Sequence, residues 1–125
     1  MLFRQLEGKK PKYTLCITDL ALEEKEDFLT IEDYSLLKKL SKEQELNAGS
    51  CLLVDNYIYL GIENGYSDFQ SGLWHLKDIV SEKGITQLYL AETIMLKKLN
   101  FKQLQKIIEK TFDGFPIEFI LEERW

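Results

Sequence analysis

Apolar positions along this chain keep two different rhythms, and each rhythm predicts a kind of element. Short β-rich runs come first. KYTLCIT (12–18) follows Pro11 and reads as a strand. SCLLVD and YIYLGI flank Asp55-Asn56, which predicts two strands joined by a tight reversal. ITQLYL (85–90) is almost continuously apolar, as in a strand buried on both faces, and Pro116 opens a last strand, IEFIL. The second rhythm is helical. Thr30-Ile-Glu-Asp33 starts a helix with Leu36, Leu37 and Leu40 as its stripe and Asn47-Ala-Gly49 as its end. Ser67, with Gln70 in the reciprocal position, is expected to cap a second helix lined by Phe69, Leu73, Leu76, Ile79 and Val80 and stopped by Gly84. Asn100 and Gln103 form another capping box, followed by Phe101, Leu104, Ile107, Ile108 and Phe112 at helical spacing. Between the first strand and the first helix, LALEEKEDFLT is irregular and acidic.

The order β, α, β-β, α, β, α, β predicts a three-layer α/β fold. Its sheet should be mixed, mostly parallel and of five or six strands, with helices on both faces. No repeat or linker interrupts the chain, so residues 1–125 are expected to form a single domain. In such sheets ligands sit beyond the C-terminal strand ends, and the loops 18–30, 61–68 and 91–98 qualify.

Composition narrows the function more than the fold. With 16 basic and 21 acidic residues the net charge is -5. That disfavours direct nucleic-acid binding, where phosphate contacts dominate affinity, and leaves room for a basic protein partner. No run approaches the roughly 18 apolar residues of a membrane span, and charges interrupt the N-terminal MLFRQLEGKKPKY. A cytoplasmic protein without membrane attachment is the expectation. Cys16 and Cys51 lie in apolar runs and are expected to be buried, reduced thiols.

Little in the chain has the form of a catalytic or metal motif. The single histidine, His75, has no nucleophile near it in sequence, and two cysteines without further ligands argue against zinc. Glu23, Glu24, Glu26 and Asp27 lack the fixed spacing and glycine of a calcium loop and read as a solvated acidic stretch. Neither Ser50 nor Ser71 sits in a nucleophile elbow. Of the many aromatics, Tyr66 stands out because it is expected in a loop at the ligand edge, where a ring can stack on a base.

From about Tyr34 onward the chain resembles a macro domain, the ADP-ribose-binding α/β module. LVDNYIYLGIENG is similar to the strand pair of the minimal branch, which includes terminal ADP-ribose glycohydrolases and the antitoxin that reverses DNA ADP-ribosylation. SEKGITQLYL resembles that branch's passage into the site strand, and LKKLNFKQLQKIIEKTFDGFPIEFIL its closing helix and strand. The branch's Pro-x-x-Gly-x-Gly loop is replaced by Ala91-Glu92-Thr93-Ile94-Met95-Leu96, which removes the glycines that let backbone N–H groups cradle a diphosphate. The hydrolase branch's acid aligns with Lys97 or its neighbour, and its lysine nucleophile with Glu63 or Asn64. Its N-terminal ligand segment has no counterpart. Asp19, in Ile17-Thr18-Asp19-Leu20, resembles the Gly-Asp-Leu aspartate that accepts from the adenine amine, and it reads equally as a turn-forming residue.

The resemblance implies a catalytically degenerate binder of a nucleotide-type small molecule, ADP-ribose-related or another nucleotide signal. Its ligand-binding candidates are Asp19, Gly65, Tyr66, Glu92, Thr93, Lys97 and Lys98, with no catalytic residue, metal or cofactor. The two lysines can supply point charges where the cradle is gone. Two alternatives stay open. One is a small acidic interaction module or inhibitor, of the kind phage counter-defence proteins provide. The other is a surviving ADP-ribosyl hydrolase, which lacks its nucleophile and acid here.

Overall fold

The computed structural model describes residues 2–20, 46–91 and 99–122. Six strands build one sheet: β1 (Phe3–Gln5), β2 (Tyr13–Asp19), β3 (Cys51–Val54), β4 (Tyr57–Ile62), β5 (Gln87–Leu90) and β6 (Glu118–Leu121). Their order is β1-β6-β5-β2-β4-β3, and every neighbouring pair is parallel except β3 with β4. The mixed, mostly parallel sheet is therefore as expected. Its first strand was not. β1 is three residues long, and its strand character comes from pairing Phe3 with Phe119 and Gln5 with Leu121.

The β3–β4 hairpin turns at Asp55-Asn56, with Asp55 in the left-handed conformation (φ 54) that aspartate tolerates better than most residues. Two helices join the sheet among the described residues: α1 (Tyr66–Lys83) and α2 (Phe101–Thr111). Phe69, Leu73, Leu76 and Val80 of α1 meet Leu104, Ile108 and Phe112 over one face of the sheet, where Leu15, Ile17, Ile58, Leu60 and Phe119 point. Gly72 lets α1 lie close, since a β-carbon there would stand 2.6 Å from Leu60 Cγ. Gly84, at φ 66, ends α1 as expected.

The opposite face carries Cys16, Tyr59, Tyr89 and Ile120, all buried, together with Leu46. Both faces of the central strands are thus removed from water, which explains why ITQLYL reads as a continuous apolar run. The helix expected from Thr30 falls, up to residue 45, outside the described residues; at its expected end, Asn47-Ala-Gly49, the chain turns with Gly49 at φ 76.

Two boundaries that bear on the site differ from expectation, the end of β2 and the start of α1. β2 ends on Asp19 rather than before it; β4 runs through Ile62 as expected, and because α1 starts at Tyr66 the loop between them is only Glu63–Gly65. Ser67 does not cap α1. Gly65 is the N-cap residue, at φ 62, and no side chain bonds at that cap. Asn100 does cap α2, accepting from the N–H groups of Lys102 and Gln103 at 2.9 and 3.3 Å.

Candidate functional site

The parallel strands β1, β2, β4, β5 and β6 all end at one edge. Chain direction diverges there between β2, which feeds the far-edge strand β3, and β5, which feeds β6 on the other side. This divergence is the kind of switch point at which open α/β sheets hold ligands. The strand ends are not level. Leu90 of β5 pairs with Leu15, whereas Asp19, four positions further along β2, pairs with Ile62 of β4. Among the described residues, at about 3.3 Å per residue, β2 and β4 run roughly 13 Å past the last β5 pairing, a step in register at the switch point. The Ala91 N–H donates to Leu15 O at 3.0 Å at the foot of that step.

Asp19 sits half-buried at the top of the step, and the following Leu20 N–H donates to Ile62 O at 3.1 Å. This bond ties the end of β2 to the end of β4, and it brings Asp19 to the same edge as Gly65 and Tyr66. Tyr66 is not a loop residue, contrary to the expectation from sequence. It is the first residue of α1, 39% exposed, and its hydroxyl oxygen accepts from the Asn100 N–H at 2.8 Å. The tyrosine thereby bridges the starts of both helices. Glu92, Thr93, Lys97 and Lys98 lie outside the described residues, and so does the acidic stretch at Glu23–Asp27.

Asp68 has a place that the sequence reading missed. It lies in the first turn of α1, and its Oδ2 accepts from the N–H groups of Glu63 and Asn64 at 2.9 and 2.6 Å. The signal was present: an acid three residues after the cap position, the spacing of a capping box, with glycine where Ser or Thr is usual. Ser67, two residues past the cap position, has the residue type of a cap without its place. Glu63 and Asn64 are both exposed.

Other candidates separate from this edge. His75 and Trp74 lie on the outer side of α1, both exposed. Cys16 is buried and Cys51, expected to be buried, is only half-buried; neither forms a disulfide, and desolvation pushes the Cys51 thiol up to about 12. No group of three His, Cys, Asp or Glu residues among those described is arranged to hold a metal. A groove of about 520 Å³ lined by Leu2, Asp113, Phe115 and Glu118 lies at the other end of the sheet, where β6 begins.

No family model and no curated protein matches the sequence. Solved structures do match. The macrodomain of Mycobacterium tuberculosis DarG superposes with a TM-score of 0.72 at 12% identity, over 95% of this chain and 95% of that one. The chain has a macrodomain fold. The macrodomain of Thermus aquaticus DarG agrees, with a TM-score of 0.67 at 10% identity over 98% of this chain and 97% of its own. At such identities the likeness speaks for the macrodomain fold alone, and the site must be argued from this chain's residues. No described helix of the macrodomain fold is long and apolar enough to cross a membrane.

Proposed function

We propose that this macrodomain-fold protein binds a nucleotide-type ligand, ADP-ribose-related or another nucleotide signal, and does not hydrolyse it. The step at the β2/β5 switch point, with Asp19 at its top, carries this reading. An aspartate carboxylate there has the chemistry to accept from an exocyclic amine such as that of adenine. Gly65 and Tyr66 stand at the neighbouring strand end, where the ring is exposed enough to pack against a base or ribose. Lys97 and Lys98, in the segment following β5, are the candidates for holding an anionic part of the ligand. The non-catalytic half of the reading rests on Glu63 and Asn64 aligning with the hydrolase lysine and Lys97 with its acid.

Calorimetry with adenosine, ADP-ribose, ATP and cyclic nucleotides tests the binding. A dissociation constant below about 10 μM for any of them, roughly 7 kcal/mol, supports it. No heat from the whole panel at millimolar ligand sinks it. Release of ADP-ribose from modified protein or DNA, abolished by a change in residues 61–68 or 91–98, would overturn the non-catalytic half.

A second reading, a protein-interaction module with a basic partner, is favoured by one observation. Trp74 is 54% exposed on the outer side of α1 in a chain of net charge -5. Exposed tryptophans are the residues on which interfaces most often anchor.

A further inference from the structure

We infer that the groove at the start of β6 docks a basic peptide segment, one that carries an apolar side chain between lysines or arginines. The inference rests on the interaction reading above, to which it gives a site and a partner chemistry. It is independent of the nucleotide reading, whose site lies at the opposite end of the sheet.

The groove lies where α2 gives way to β6, and its volume of about 520 Å³ suits a bulky side chain and its neighbours. Its floor is apolar. Phe112 and Ile117 are buried, whereas Leu2 and Phe115 are half-buried and keep apolar surface exposed. Phe112 packs edge-on against both Phe115 and Phe119, with ring centroids 5.7 and 5.3 Å apart, so the wall is fixed in place. Gly114, at φ 72, leaves open space where a β-carbon would stand, and a second backbone can come close there.

The rim decides the partner's charge. Glu109, Asp113 and Glu118 line it, and among the described residues no lysine, arginine or histidine does. Glu118 is already engaged, by Arg4 Nε at 3.5 Å and by Gln87 Nε2 at 3.1 Å. Asp113 is exposed and has no ion pair among the described residues, and Glu109 accepts only from Gln105 Nε2, at 3.4 Å. Both carboxylates stand at the C-terminal end of α2, where the helix adds partial negative charge of its own. A cation brought to this rim is attracted by all three. Lys77 shows that chemistry on the groove's flank. Its Nζ donates to Thr111 O at 3.1 Å and lies 5.5 Å from the centre of the Phe115 ring and 5.0 Å from that of Trp74. Through Lys77 and Phe115 the groove joins the exposed Trp74, so one partner segment can cover both.

The probe is the pentapeptide Lys-Arg-Phe-Lys-Arg, titrated into isotope-labelled protein while backbone amide shifts are followed by NMR. A dissociation constant below about 1 mM is expected, with the shifts centred on Asp113, Gly114, Phe115 and Ile117. Replacing the peptide's phenylalanine by glycine, or its four basic residues by glutamate, should each weaken binding at least about fivefold. Asp113→Lys should weaken the parent peptide by a similar factor, an effect that shrinks with added salt. Glu7→Lys makes the same charge change at an exposed site beyond the far end of β1, and should alter binding by less than about twofold. Circular dichroism checks that each variant is folded, and Glu109→Lys carries the test if Asp113→Lys is not. Equal losses in the groove variant and Glu7→Lys would reduce the effect to overall charge and overturn the inference. Shifts confined to the outer side of α1 around Trp74, unmoved by Asp113→Lys, would overturn the groove and keep the interaction reading. No shift at about 1 mM peptide would remove both.

Discussion

The starts of α1 and α2 lie within one hydrogen bond of each other, yet they are closed by different means. α2 is closed locally: Asn100 folds its own side chain onto the N–H groups two and three residues ahead. α1 has no side chain at its cap. Gly65 makes the turn, and Asp68 reaches back from inside the helix to hold the two residues that lead into it. Tyr66 then couples the two starts by accepting from Asn100. The difference teaches that a helix start can be completed by a residue that does not look like a cap, and that the choice of acceptor sets the charge presented at the edge.

The largest effects should leave this contrast untouched, because both helices are held by the same core. Leu73 and Leu104 are fully buried, so Leu73→Ala and Leu104→Ala should each cost about 2–5 kcal/mol in chemical denaturation. A cost under about half a kcal/mol at Leu104 would place that face of α2 in solvent. Cys51 probes how α1 leans on the sheet, since its thiol donates to Gly72 O at 3.2 Å. Burial raises this thiol from 9.0 to about 12 in the folded state. The folded protein therefore holds the proton more tightly than the unfolded chain. The resulting stability is complete below pH 9 and declines as pH rises from 9 toward 12. Alkylation at pH 8 should be slow until the protein unfolds; rapid labelling of the folded protein would contradict this placement.

Smaller effects separate the two starts. Gly72→Ala pushes a β-carbon against Leu60 and should cost about 1–2 kcal/mol, the overpacking exceeding the helix-propensity gain. Asn100→Ala should cost about 1 kcal/mol, whereas Ser67→Ala should stay within roughly 0.5 kcal/mol of zero. Equal losses at Asn100 and Ser67 would erase the contrast. Tyr66→Phe removes only the hydroxyl at a partly exposed site and should cost about 0.5 kcal/mol, visible as a small shift of the thermal midpoint.

The chain's own pattern was enough for most of the scaffold. The stripe Leu104, Ile108, Phe112, the stop at Gly84, the hairpin at Asp55-Asn56 and the Asn100 cap all depend on neighbours within a few residues, where propensity and spacing act directly. The sheet's parallel character followed from the alternation of strands with helices. What tertiary structure decided has longer reach. β1 is a strand only because β6 offers it an edge, and three residues alone carry no periodicity. Ser67 lost the cap to Gly65 and Asp68 because β4 runs to Ile62 and fixes where the chain must turn. Among the described residues, the step at the switch point exists because β2 pairs with β5 as far as Leu15 and with β4 as far as Asp19. Register of that kind is set by packing between strands far apart in sequence, and no local pattern encodes it.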